Sequence, residues 1–240
     1  MRLRDATIYA CRRMDRDLDW AACRNIRDLG GLPTAGGGRI RRGALVRADS
    51  LARLSADGWA ALEAHGVRTV IDLRNDDEVG EDDARRPASI TTVHLPLDGM
   101  EDTEFWNRWM HRAEFGTPHY YGPWLERFPD RAGRVLEAIA RAAPGGVAYH
   151  CVGGRDRTGL VTMLVLAFAG VPADLAAEDY ARSLERIPDA MLAAFYAEHG
   201  TTPAGVFAEA LARVDADQYL SVDDRAVLHR RLVESVPASG

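Results

Sequence analysis

An α/β fold, with a mostly parallel sheet flanked by helices, is what the sequence predicts, and three observations predict it. Short β-branched, apolar runs recur between stretches of helical period, the alternation that builds a parallel sheet covered on both faces. One of those runs, GVAYHC (146–151), passes through a Gly-rich turn straight into a long apolar helix. The 240 residues, 47% hydrophobic and 28% charged, suit one large globular domain spanning 1–240, with no internal repeat or low-complexity linker to divide it.

Taken in order, the stretch 26–47 holds two short extended runs around Ala35-Gly36-Gly37-Gly38, which predicts a hairpin. Ser55 is placed to cap a helix that ends at His65, with Gly66 to stop it. VRTVIDLR (67–74) is β-branched and apolar, a buried strand, and a second strand is expected over 91–97. The spacing of Val135, Leu136, Ile139 and Ala140 predicts a helix over 130–143, halted by Pro144-Gly145-Gly146. The strand at 146–151 follows, and then the apolar helix from Thr158. From 173 onward the period is helical, with breaks at Pro188, Gly200, Pro203 and Ser221. The longest apolar stretch, 160–171, is too short to cross a bilayer and predicts a buried helix, with no membrane insertion.

Composition excludes several chemistries. There are 36 acidic and 30 basic residues, a net charge of −6, and every basic residue is arginine. Without lysine there is no Walker-type or kinase-type phosphate contact and no Schiff base. The acidic balance, with no arginine stripe, argues against a nucleic-acid partner. Cys11, Cys23 and Cys151 cannot make a disulfide framework and form no CxxC pair, which predicts reduced thiols. The first twenty residues contain no apolar leader segment, so no signal peptide is visible and a cytoplasmic location is expected.

The chemistry concentrates in His150-Cys151-Val152-Gly153-Gly154-Arg155-Asp156-Arg157-Thr158-Gly159. A short loop closing into a helix N-terminus turns successive backbone N–H groups inward and makes an anion cradle. Gly153 and Gly154 permit the backbone angles this needs. The same field favours a thiolate, so Cys151 can act as a nucleophile. Arg157, six positions on, supplies a planar fork for two phosphoryl oxygens and tightens as charge shifts in a transition state. The Thr158 hydroxyl can donate to the sulfur. The alternative is a structural cysteine buried ahead of a helix.

HCVGGRDRTG resembles the signature loop of the cysteine-dependent phosphatases. More narrowly, it is similar to the bacterial tyrosine phosphatase-like family with an HCxxGKDRTG loop, which includes mycobacterial lipid-and-protein phosphatases. Asn25-Ile26-Arg27-Asp28-Leu29-Gly30-Gly31 resembles that family's opening NxRDLGG, Asp72-Leu73-Arg74 its DLR element, and Glu178-Asp179-Tyr180 its DY helix. The match runs from about residue 23 to 233. It implies a cysteine-phosphatase-like fold with a helical lid or cap over 173–214. It also implies a phosphoester hydrolase with a phosphocysteine intermediate, no metal and no cofactor. Its partner would be a phosphorylated protein or a small-molecule phosphate ester. One position departs: the family's loop lysine is Arg155 here, and an arginine fork meets phosphate differently from a lysine point charge.

Protonating a leaving oxygen needs a carboxylic acid within hydrogen-bond reach. Asp156, inside the loop, is the position the resemblance favours. Asp72, at a strand end where open α/β sheets place ligands, is an alternative acid or a brace for Arg157. Asp98 and Asp102 are further candidates. Arg74 either touches substrate or pairs with the acidic run Asp76-Asp77-Glu78. The resemblance implies that His150 tunes the thiolate. Asn25, Arg27 and Asp28 are expected to brace the loop from behind, and Cys11 and Cys23 to be inert; a protective disulfide to Cys151 is the alternative. Eight aromatics between Phe105 and Phe128 form either a wall for a substrate ring or an amphipathic helical subdomain packed on the sheet.

The function expected is thus phosphomonoester hydrolysis, on phosphotyrosine or other phosphorylated side chains, or on a small metabolite phosphate. A rhodanese-like sulfurtransferase and an inactive phosphate-binding module are the competing classes.

Overall fold

The computed structural model describes residues 16–80 and 86–236, so Cys11 lies outside the described residues. In chain order, β1 (Arg27–Asp28), β2 (Gly38–Ile40) and β3 (Leu45–Ala48) precede α1 (Ala56–Ala64), β4 (Val67–Asp72) and β5 (Thr91–His94). Three helices, α2 (Thr103–Met110), α3 (Tyr121–Arg127) and α4 (Pro129–Arg141), lead to β6 (Gly146–His150). The chain continues through α5 (Asp156–Phe168), α6 (Ala173–Arg186), α7 (Ala190–Glu198), α8 (Pro203–Leu211), α9 (Val222–Leu232) and β7 (Val233–Ser235).

Five strands form one sheet in the order β1-β3-β6-β4-β5, parallel throughout except for β1 at the edge. The three middle strands are buried on both faces, so apolar residues such as Leu45, Val46, Val70 and Ile71 occupy successive positions instead of alternating with exposed ones. Val46, Ala48, Val70 and Ala148 face one side and pack with Leu51, Trp59 and Leu62. Leu45, Ile71, Val147 and Tyr149 face the other, where Leu136, Ile139, Leu160 and Leu164 cover them. Ser55 caps α1 by accepting from the Gly58 N–H, and Gly66 ends the turn at φ +96°. Among the described residues, no helix is long and apolar enough to cross a membrane.

Two elements differ from expectation. The turn after Thr34 is present, with a bridge between Pro33 and Arg39, but β2 gives its other edge to β7 as an antiparallel pair. β7 is three partly exposed residues with no hydrophobic alternation to announce it. The apolar helix α5 also begins at Asp156 rather than Thr158, so Asp156 and Arg157 belong to its first turn instead of the loop.

Helix α6 is locked onto the sheet by charge. Asp179 is fully buried and accepts from Arg27 Nε and Nη2, Arg16 Nη1 and Arg47 Nη1, each at 2.9 Å. Burial alone pushes the Asp179 carboxyl up, but the guanidinium groups of Arg27, Arg16 and Arg47 together hold it well below the usual carboxylate range. Arg27 is pulled down to about 10 by its own burial and by Arg47 beside it. The Ser183 hydroxyl, one turn on, accepts from Arg27 and Arg47 as well.

Removing the one carboxylate that, among the described residues, bonds both Arg27 and Arg47 leaves buried cations uncompensated. Asp179→Asn is therefore expected to cost roughly 3–5 kcal/mol of unfolding free energy in denaturant titrations. The sign with pH follows from a depressed folded-state pKa: this contribution is present above the unfolded carboxylate pKa, about 3.9, and is lost as pH falls through the folded value. Wild type and Asp179→Asn should thus differ fully at pH 6 and converge in strong acid.

Candidate active site

β6 delivers Cys151 at its C-terminal end, and Val152 to Arg155 turn the chain into α5. The carbonyls of this loop are held from outside. Ser50 N–H donates to Val152 O at 3.0 Å, and Asn25 Nδ2 donates to Gly153 O at 3.0 Å and Gly154 O at 2.9 Å. Arg47 Nη2 adds a bond to Gly154 O at 2.7 Å. The amides of 152–156 have no acceptor among the described residues. With the carbonyls fixed outward, those N–H groups and the N-terminus of α5 converge as an anion-binding concavity.

Only one of the two loop glycines is sterically required. Gly154 has φ +66°, and a Cβ there would sit 2.6 Å from Ala48 O and Asp49 N, against the end of β3. Gly153 would have open space around a Cβ and no positive φ, so the expectation of special angles holds at Gly154 alone.

The Cys151 sulfur is buried beneath this loop, with the Thr158 hydroxyl donating to it at 3.2 Å. His150 is buried and points its ring at Cys151 O (Nδ1, 3.1 Å) and towards Asp72 (Nε2 to Oδ1, 3.7 Å), so its contacts are to backbone and carboxylate rather than to the sulfur. Burial pulls its pKa down. Cys23 is a free thiol, and burial pushes it well up, away from reactivity.

Arg157 reaches back over the cradle and meets carboxylates. It bonds Glu78 through both terminal nitrogens, at 2.7 Å for Nη2, and lies 3.4 Å from Asp98. Glu78 is placed by a capping box with Asn75, whose N–H donates to Glu78 Oε2 at 2.8 Å. Burial would lower the Arg157 pKa, but the Glu78 hydrogen bond and the nearby Asp98 and Cys151 charges raise it overall. Sequence reasoning missed Glu78 as the partner of Arg157; its only signal was the Asn75-x-x-Glu78 spacing.

Several expected roles change here. Asp72 gives both oxygens to Arg74, at 2.6 Å to Nη2 and 3.0 Å to Nε, and so does not orient Arg157. Burial raises the Asp72 carboxyl, but the Arg74 bonds and the His150 charge outweigh that and hold it below its ordinary value, the wrong direction for a proton donor. Arg74 is 3% exposed and goes to Asp72 and Ser50 rather than to the pocket; the acidic run reaches Arg157 through Glu78 instead. Asp102 caps α2 and pairs with Arg127 away from the cradle. Of the bracing trio, Asn25 touches the loop directly and Arg27 acts through Asn25 Oδ1 at 2.7 Å. Asp28 braces elsewhere, accepting from the Gly30 and Gly43 amides.

Two acids remain at the mouth. Asp156 and Asp98 both line a cavity of about 760 Å³ above the loop, together with Arg155, Arg157, Trp106, Phe115 and Tyr120. Burial pushes both carboxyls up, against the lowering pull of Arg155 on Asp156 and of Arg157 on Asp98. The aromatic stretch divides between core packing and cavity lining. Trp109, Tyr121 and Trp124 sit in the core, while Trp106, which meets Phe115 and Tyr120 edge-on, lines the cavity with them. The Trp106 and Trp124 indoles both donate to Asp98 O at 3.2 Å and so fix its position. Among the described residues no group of three or more His, Cys, Asp or Glu side chains is placed to hold a metal ion.

Comparison with known proteins meets this geometry. A family model described as the tyrosine phosphatase family matches residues 18–230. A Cupriavidus necator homologue carrying a tyrosine-protein phosphatase name is 35% identical over 176 residues, 71% of this chain and 64% of that protein, so the chain spans a little under two thirds of that relative's length. The triple specificity protein phosphatase PtpB of Mycobacterium tuberculosis is 30% identical over 193 residues, 68% of each chain. A crystal structure of TpbA from P. aeruginosa aligns at 19% identity with a TM-score of 0.40, over 76% of this chain and 88% of that one, a likeness too loose to argue from.

Proposed function

The chain belongs to the tyrosine phosphatase family, and from that premise we propose that it hydrolyses phosphomonoesters through a Cys151 phosphocysteine, with phosphotyrosine in protein as substrate. The observation that carries this reading is the pairing of a buried thiol with a loop whose Val152, Gly153 and Gly154 carbonyls are tied outward. A cavity lined by Trp106, Phe115 and Tyr120 supports an ester of a ring-bearing group over a sugar phosphate.

The chemistry runs in two displacements. In the first, the Cys151 thiolate attacks phosphorus, the bond from phosphorus to the ester oxygen breaks, and Asp156 gives its proton to that departing oxygen. The loop amides and the Arg157 fork take the charge that builds on the equatorial oxygens. In the second, water attacks phosphorus, its proton passes to the Asp156 carboxylate, and the sulfur leaves as a thiolate steadied by the Thr158 hydroxyl. Neither step calls for a metal or cofactor. Both cysteines within the described residues are free thiols, which suits a reducing, cytoplasmic setting.

Cys151→Ser should release phosphate from a phosphotyrosine peptide at least about a thousandfold more slowly than wild type. Full activity in that variant would remove the nucleophile assignment. Because Asp156 must be protonated to donate and its carboxyl is held up by burial, kcat should fall as pH rises through its raised pKa. Asp156→Asn should abolish that alkaline limb and slow phosphotyrosine turnover by about 10²–10⁴-fold, with a much smaller loss on p-nitrophenyl phosphate, whose leaving group needs no proton. If Asp98→Asn shows this pattern and Asp156→Asn does not, the acid is Asp98.

A further inference from the structure

The position at which this chain departs from its family's loop, Arg155, does not address the cradle. Its guanidinium turns across the cavity mouth. Nε and Nη2 donate to the two oxygens of Asp156, at 3.2 and 3.3 Å, and Nη1 donates to Asp189 Oδ2 at 3.2 Å. Asp189 is the N-cap of α7, accepting from the Met191 and Leu192 amides at 3.0 and 3.1 Å. The bridge therefore joins the first turn of α5 to the first turn of α7.

What α7 carries makes the bridge consequential. Leu192, Phe195 and Tyr196 pack with Val206 in a small cluster separate from the two main cores. Met191 is 84% exposed, and it lines the cavity with Leu192 and Phe195, as Phe115 does. The wall is thus apolar and held by few core contacts. Charge in the cavity is also lopsided: Arg155 and Arg157 face Glu78, Asp98, Asp156 and Asp189, while Arg112 at the rim goes to Glu114 and the Trp109 ring.

We propose that Arg155 is a positioning and specificity-determining residue: it fastens α7 to the catalytic loop through Asp189, and because its charge is spent on Asp156 and Asp189 it rejects substrates with a second phosphate, so the site selects monophosphate esters of apolar, aromatic groups. This rests on the phosphatase reading and narrows its substrate class. A second phosphate entering the cavity would meet the carboxylates, and to gain a cation it would have to break the Arg155 bridge.

Asp189→Asn tests this, because asparagine caps a helix as well as aspartate and removes only the charge. Wild type, Asp189→Asn and Asp189→Ser, the last also a strong cap, would be assayed on a phosphotyrosine peptide and on a soluble dioctanoyl phosphatidylinositol bisphosphate. Wild type is expected to favour the peptide by tenfold or more in kcat/KM. In both variants KM for the peptide should rise about threefold as the α7 wall loosens, and KM for the bisphosphate should fall by a similar factor as Arg155 is released, the size of one partly exposed ion pair. A generally weakened fold would move both KM values the same way. Parallel shifts, no shifts, or a wild type that prefers the bisphosphate would overturn the inference while leaving the phosphatase reading intact. A wild type that hydrolyses neither would overturn the reading itself.

Discussion

The outward fastening of the loop carbonyls is the constraint on which the rest depends. A peptide unit that points its oxygen at Asn25, Arg47 or Ser50 points its N–H the other way, and three such units in succession produce a cradle of backbone amides. The same demand explains Gly154, which must lie flat against Ala48 O and Asp49 N. It explains Asp179 too. Arg47 can be buried beneath the loop only if its charge is answered, and Asp179 answers Arg47 and Arg27 together while Arg27 holds Asn25. Helix α6 is therefore as much part of the proposed phosphate site as the loop is, although it contributes no atom to it.

On the proposed reading, a chain without lysine holds phosphate with groups that are always charged or always dipolar. Arginine carries its proton at any working pH, so control passes to its carboxylate partners. Glu78 and Asp98 hold the Arg157 fork over the cradle, and Asp156 and Asp189 hold Arg155 across the mouth. Two arginines in one cavity thus have different roles, set by which acids face them. On the proposed reading, the Arg157 partners share a cation that an incoming phosphate dianion also seeks, and the Arg155 partners keep their cation from it.

What could be seen in the sequence was what is local. The strand, loop and helix around Cys151 span about twenty consecutive residues, so their types and order carry the chemistry directly. The helix breaks at Pro188, Gly200, Pro203 and Ser221 were equally plain, because capping and turn preferences act within a few positions. The Arg47–Asp179 and Arg157–Glu78 pairs join residues 132 and 79 positions apart, and nothing in either neighbourhood names its partner. Asp72 and Arg74 misled for a related reason. A carboxylate ending a strand looks like a site residue, yet strand alternation turned its side chain to the α1 face with His150, where Arg74 closes on it. Asp156 was expected in the loop, whereas α5 starts at Asp156 itself, two residues before the Thr158 start that the apolar run suggested.

The central claim is that backbone amides turned inward by Asn25 and Arg47, together with Arg157, form the phosphate site. A crystal structure of the Cys151→Ser protein grown with orthovanadate tests it most directly. The account predicts the anion at the serine oxygen, within hydrogen-bond distance of the amides of 152–157 and of both terminal nitrogens of Arg157. An anion bound away from the loop, or loop carbonyls rotated inward with the Asn25 and Arg47 bonds broken, would contradict it.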